Sequence, residues 1–103
     1  LLPSAQNRAR RVAFSVLLER GYLKAGQTLY LKHSDLQAEI LENGYLQSDG
    51  RIGTIHRLGA QLKNVPSCNG WMQWYYDDEE TGQRRPLDVL RKRVRQELEK
   101  EEL

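Results

Sequence analysis

The chain is poor in the residue types that build covalent or metal-held frameworks. It has one cysteine, Cys68, and two histidines, His33 and His56. A lone thiol forms no internal disulfide, and one thiol beside two imidazoles supplies too few soft ligands for a structural zinc site. Long apolar runs are also missing. The longest, Val12 to Leu18, is interrupted by Ser15 and falls far short of the ~20 residues that cross a bilayer. A secretory signal is not apparent, so a cytoplasmic compartment without membrane contact is expected. No glycine-rich phosphate loop follows a strand, and no histidine–glutamate pair has metalloprotease spacing. Cys68 and His56 are an isolated pair twelve positions apart, an arrangement far more often structural than a thiol nucleophile with its base.

What is present is a globular composition, with 39% hydrophobic and 29% charged residues in 103. That length suits one compact core. The chain opens Leu1-Leu2-Pro3 and reads as a segment of a longer protein, with residues 1–9 expected as a tether and 10–103 as the domain. The formal net charge is only +2, but the acids are gathered in Asp77 to Glu80 and in Glu97, Glu99, Glu101 and Glu102. Setting those eight aside raises the net charge from +2 to +10. A positive face for phosphates is therefore possible.

Residues 10–20 carry Ala13, Val16, Leu17 and the Arg20 stem at helical spacing, followed by Gly21 as a helix stop. Residues 27–32 and 36–42 read as strands of a hairpin, and Tyr45 to Gln47 and Arg51–Ile52 as further short strands. Asn43-Gly44 and Asp49-Gly50 each predict a two-residue turn. Thr54 predicts the cap of a helix over 55–63, with Ile55, Leu58 and Leu62 on its apolar stripe. Trp71 to Tyr76 reads as a strand that puts Trp71 and Trp74 on opposite faces, leaving at least one ring partly exposed. A last helix over 87–100 has the stripe Leu87, Leu90, Val94 and Leu98 and an outer face of Arg91, Lys92, Arg93 and Arg95. The expected fold class is α+β, a small twisted antiparallel sheet packed by about three helices in a single domain.

Two segments carry candidate binding chemistry. At Gly53-Thr54-Ile55-His56-Arg57, a capping hydroxyl and basic side chains surround the exposed N–H groups of a helix start, a setting suited to a phosphate. Arg51, Arg57 and Lys63 are the expected phosphate neutralisers. Asn69-Gly70-Trp71 puts an amide, which can pair with a base edge, beside a ring that can stack on an unpaired base. Each feature also has an ordinary structural explanation, as a helix cap, a turn or a core ring.

In order, Gly53-Thr54-Ile55-His56-Arg57-Leu58-Gly59-Ala60, Cys68-Asn69-Gly70-Trp71 with Trp74, and Pro86-Leu87-Asp88-Val89-Leu90-Arg91 resemble the C-terminal, restriction enzyme and adenine methylase associated domain of the bacterial cell-cycle-regulated adenine-N6 DNA methyltransferases that modify GANTC. The resemblance covers about Val12 to Arg95. It implies a non-catalytic DNA-binding domain that assists target recognition and strand separation, in an enzyme that works as a homodimer. The S-adenosylmethionine site and the Asp-Pro-Pro-Tyr type motif belong to a catalytic domain absent from this chain. Thr54, Asn69 and Trp71 match family positions associated with DNA, and Thr54 stands where relatives carry serine. A rival expectation is a dimerisation or protein-interaction module that uses the Leu87–Leu98 stripe.

Overall fold

The computed structural model describes residues 11–101, so the expected tether over 1–9 lies outside the described residues. Helix α1 (Phe14–Glu19) precedes the strands β1 (Thr28–Leu31), β2 (Gln37–Ile40), β3 (Leu46–Ser48) and β4 (Arg51–Gly53). Helices α2 (Ile55–Lys63) and α3 (Gly70–Gln73) follow, then β5 (Trp74–Asp78), β6 (Gln83–Pro86) and α4 (Asp88–Glu101). The strands form one sheet in the order β4-β3-β2-β1-β5-β6, with every neighbouring pair antiparallel. The α+β expectation therefore holds.

Period-two alternation makes one face of this sheet apolar. Leu29, Leu31, Ala38, Ile40, Leu46, Trp74 and Tyr76 are buried, and Gln37, Glu39 and Gln47 between them are exposed. The helices cover the apolar face with Phe14, Leu17, Ile55, Leu58, Leu90 and Val94. The Leu87, Leu90, Val94 and Leu98 stripe is absorbed here: the first three are buried, and Leu98 packs against the core.

Asp49 and Gly50 both have positive φ, as a two-residue turn requires, and they set the register Ser48↔Arg51. Asn43-Gly44 departs from that expectation. The Leu41 N–H donates to the Tyr45 carbonyl at 2.8 Å and the Gly44 N–H to the Leu41 carbonyl at 3.0 Å, which makes a three-residue loop with only Gly44 at positive φ. Asn43 instead uses its side chain to accept the Tyr45 N–H at 3.0 Å, the local bond that favours asparagine in turns.

The main correction concerns Trp71 to Gln73, expected as strand and found helical. Asn69 caps this turn, accepting the Trp71 N–H at 3.1 Å through its side chain. The Met72 and Gln73 N–H groups return to the Asn69 carbonyl. Trp71 and Trp74 are consequently both buried, 5% and 0% exposed, against the expectation that one ring would face solvent. Strand β6 was not anticipated either. Gln83-Arg84-Arg85-Pro86 has no apolar alternation, and it becomes a strand by pairing with β5 at the sheet edge, where a proline is tolerated.

Candidate functional site

The two sequence motifs meet in space. His56, in the first turn of α2, accepts the Gly70 N–H at its Nδ1, 2.9 Å away. In the neutral ring this puts the proton on Nε2. Cys68 donates its thiol to the His56 carbonyl at 3.3 Å, and the buried Trp74 indole donates to the Ile55 carbonyl at 2.9 Å. Glycine is required at two places by close approach. A Cβ on Gly70 would stand 2.6 Å from the Ile55 carbonyl carbon, and one on Gly59 would stand 2.9 Å from Cys68 Sγ and 3.3 Å from Trp74 Nε1. Thr54 caps α2 as expected, accepting the Arg57 N–H at 3.1 Å. The segments are thus sewn together before any ligand is considered. Cys68 has no catalytic geometry, since its partner is a carbonyl and burial pushes its thiol above the ordinary value.

This junction forms one wall of a groove of about 670 Å³ lined by Arg11, Val12, Ala13, His56, Asn69, Trp71, Arg91 and Arg95. The Trp71 ring is one of the lining groups. It is tilted against Phe14, with centroids 6.4 Å apart, and the Arg91 guanidinium lies 5.0 Å from its centroid. Asp88, in the first turn of α4, accepts the Arg91 Nε–H at 2.8 Å and pairs with Lys92 at 3.4 Å. Burial would raise the Asp88 carboxyl, but bonds from Arg91 and Lys92 outweigh it and hold the group below the ordinary carboxylate value. One turn further along α4, Arg95 is half-buried and its buried Nε has no hydrogen-bond partner among the described residues. Buried donors are nearly always paired, so Arg95 retains capacity for an acceptor.

Among the described residues no carboxylate lines the groove. Several arginines outside it are paired with acids: Arg20 with Glu97 and Glu101, Arg84 with Asp77, Arg85 with Asp78, and Arg93 with Glu80. The acidic segment Asp77 to Glu80 is therefore occupied by basic residues beyond the groove.

Of the expected site residues, the groove unites His56, Asn69 and Trp71. Thr54 and Arg57 line an adjoining hollow that shares His56, and Arg51 lines the next one. Lys63 is drawn elsewhere, donating its Nζ–H to the Lys32 carbonyl at 3.0 Å. Arg11, Arg91 and Arg95 were not picked out as site residues from the sequence. The usable signal was the four-residue spacing of Arg91 and Arg95, which puts both on one helix face. The expected outer face of α4 needs the same correction, since only Lys92 of Arg91, Lys92, Arg93 and Arg95 is exposed and the others are half-buried.

A family model described as Restriction Enzyme Adenine Methylase Associated matches residues 2–100. The chain is also similar to the Type II methyltransferase M.HinfI of Haemophilus influenzae, with 27% identity over 74 residues, 72% of this chain and 21% of that protein. It thus spans about a fifth of the length of that relative. With almost its whole length matched, the chain belongs to the restriction enzyme adenine methylase associated family.

Proposed function

We propose that this chain is the non-catalytic DNA-binding domain of a site-specific adenine-N6 DNA methyltransferase, assisting target recognition and strand separation. The observation that carries this reading is the groove, lined by no carboxylate among the described residues, in which Arg11, Arg91 and Arg95 come together with His56, Asn69 and Trp71. Phosphates are the natural occupants of such a surface. Arg95 lines the groove and is in no ion pair among the described residues, so its guanidinium can take a phosphate oxygen. Asn69 commits its Oδ1 to the Trp71 N–H, which leaves its amide N–H groups to donate to a base edge.

Trp71 has two roles in this scheme. Under its present cover it is the aromatic seat of Arg91, and if Arg91 turns toward a phosphate, the ring is uncovered beside Asn69. Stacking on a nucleotide released from pairing would be worth about 1–3 kcal/mol and would offset part of the cost of opening the duplex. Arg51, Arg57 and His56 extend the contacts along the adjoining hollows, whereas Lys63 contributes least because it is engaged at the Lys32 carbonyl.

The chain itself transfers no methyl group in this proposal. S-adenosylmethionine is bound, and methyl transfer carried out, by a catalytic domain elsewhere in a cytoplasmic enzyme that acts as a homodimer. Dimerisation through the Leu87–Leu98 stripe has no support, because those side chains fill the core of the domain.

The test is a titration of the chain with duplex and single-stranded oligonucleotides at two salt concentrations. Affinity that falls steeply with salt is expected. Absence of binding at low salt, or transfer of label from S-adenosylmethionine by the pure chain, refutes the proposal.

A further inference from the structure

Beyond the groove, the solvent face of α2 has an unusual set of unmatched side chains. Arg57, Gln61 and Asn64 follow one another at helical spacing and are exposed. Arg51 flanks them from β4, and the hollow beside Gln61 and Asn64 is bordered by Ile52 and Val65, two of the exposed large apolar residues at 56% and 42%. Among the described residues no carboxylate lines this hollow or the one that joins it to His56. Among the described residues no ion pair involves Arg51 or Arg57, in contrast to Arg20, Arg84, Arg85, Arg91 and Arg93. A solvated helix face ordinarily mixes both signs of charge. This one is basic at its flanks, with amides and apolar side chains between them.

We propose that the exposed ridge formed by Gln61 of α2 and Asn64 at its C-cap, flanked by Arg51 and Arg57, reads A·T base pairs in the major groove of duplex DNA next to the opened site. The chemistry matches on three counts. Glutamine and asparagine amides make bidentate bonds to the N6 and N7 edge of adenine, and apolar side chains such as Ile52 and Val65 suit the thymine methyl. Arginines on either side suit the phosphates that border the groove. A single helix also fits the width of the major groove of B-form DNA. The hollows run from Arg51 past Arg57 to His56, so duplex on the ridge leads into the groove at Asn69 and Trp71. The inference rests on the DNA-binding reading and adds to it a sequence-reading surface.

Asn64 stands at positive φ, 57°, so Asn64→Gly removes the amide without straining the backbone, and Gln61→Ala sits on an exposed helix face. The experiment compares the parent chain, the double variant Q61A/N64G and Arg91→Ala on short duplexes in which A·T pairs are replaced in turn by G·C. For the parent we expect about a tenfold loss at one or more positions, and for Q61A/N64G a loss of that discrimination with salt-dependent binding retained. Equal affinity of the parent for every duplex overturns the ridge proposal, as does discrimination that survives in Q61A/N64G. If either result accompanies weakened binding by Arg91→Ala, the groove assignment stands and the ridge alone falls. A parent chain that binds no duplex overturns both.

Discussion

The Arg91 guanidinium lies 5.0 Å from the centroid of the Trp71 ring and is bonded to Asp88, three residues back on its own helix. An aromatic face and a carboxylate together hold the central cation of the groove. The cation–π contact is worth only about 0.5–2 kcal/mol and Asp88 keeps Lys92 as a partner at 3.4 Å, so Arg91→Ala should lower the melting temperature but leave the domain folded. It should weaken DNA binding and lower the salt slope by about one unit, if one phosphate contact is lost. Titrations at several salt concentrations, read beside thermal melting, measure both quantities; an unchanged slope rejects the assignment.

Trp71→Ala is expected to act mainly on stability. The ring is 5% exposed in the core, and its truncation should cost about 3–5 kcal/mol of a total near 5–15 kcal/mol. Circular dichroism would then show lowered melting together with any loss of binding. Asn69→Ala, which removes a cap bond worth about 0.5–2 kcal/mol, should stay folded and bind DNA less tightly. Parent-like affinity in folded Asn69→Ala would make that turn purely structural.

Gly70→Ala should destabilise more than Gly59→Ala. The new methyl at position 70 would meet the Ile55 backbone at 2.6 and 2.7 Å, whereas at position 59 its nearest neighbour is Cys68 Sγ at 2.9 Å. Overpacking of this kind costs about 1–3 kcal/mol. Cys68→Ala should relieve part of the cost at position 59 and none at position 70. A double-mutant cycle of melting temperatures tests this coupling, and strict additivity of Gly59→Ala with Cys68→Ala contradicts it.

The Asp88 bonds predict a pH dependence with a definite sign. Arg91 and Lys92 hold the folded carboxyl below its ordinary value, so the folded state binds fewer protons than the unfolded chain. The stabilisation is complete above the unfolded value of about 3.9 and is lost as pH falls through the lower, folded one. Parent and Asp88→Asn should therefore melt apart near neutral pH and converge in acid below about pH 4. A gap that widens on acidification would contradict this pairing.

Local chemistry was sufficient where one residue type has one backbone answer. Thr54 capped α2, Asp49-Gly50 made its turn with both residues at positive φ, and the apolar stripe of α4 found the core, because caps, positive-φ turns and helical periodicity act within a few residues. Of the groove, the sequence by itself made His56, Asn69 and Trp71 legible as candidates. It did not reveal that Trp71 is covered, or that Arg91 and Arg95 turn inward.

Those outcomes depend on partners far along the chain. The Gly70 N–H meets the His56 ring, Trp74 bonds to the Ile55 carbonyl, and Gln83 to Pro86 becomes a strand only beside Tyr75 to Asp78. A hydrogen bond or a buried ring is governed by what packs against it, and residues 14 or 19 positions apart are brought into contact by the fold rather than by periodicity. Sequence alone therefore determined the elements and the residue types available for binding. Tertiary packing decided that Arg20, Arg84, Arg85 and Arg93 pair with acids away from the groove and that Arg11, Arg91 and Arg95 line it.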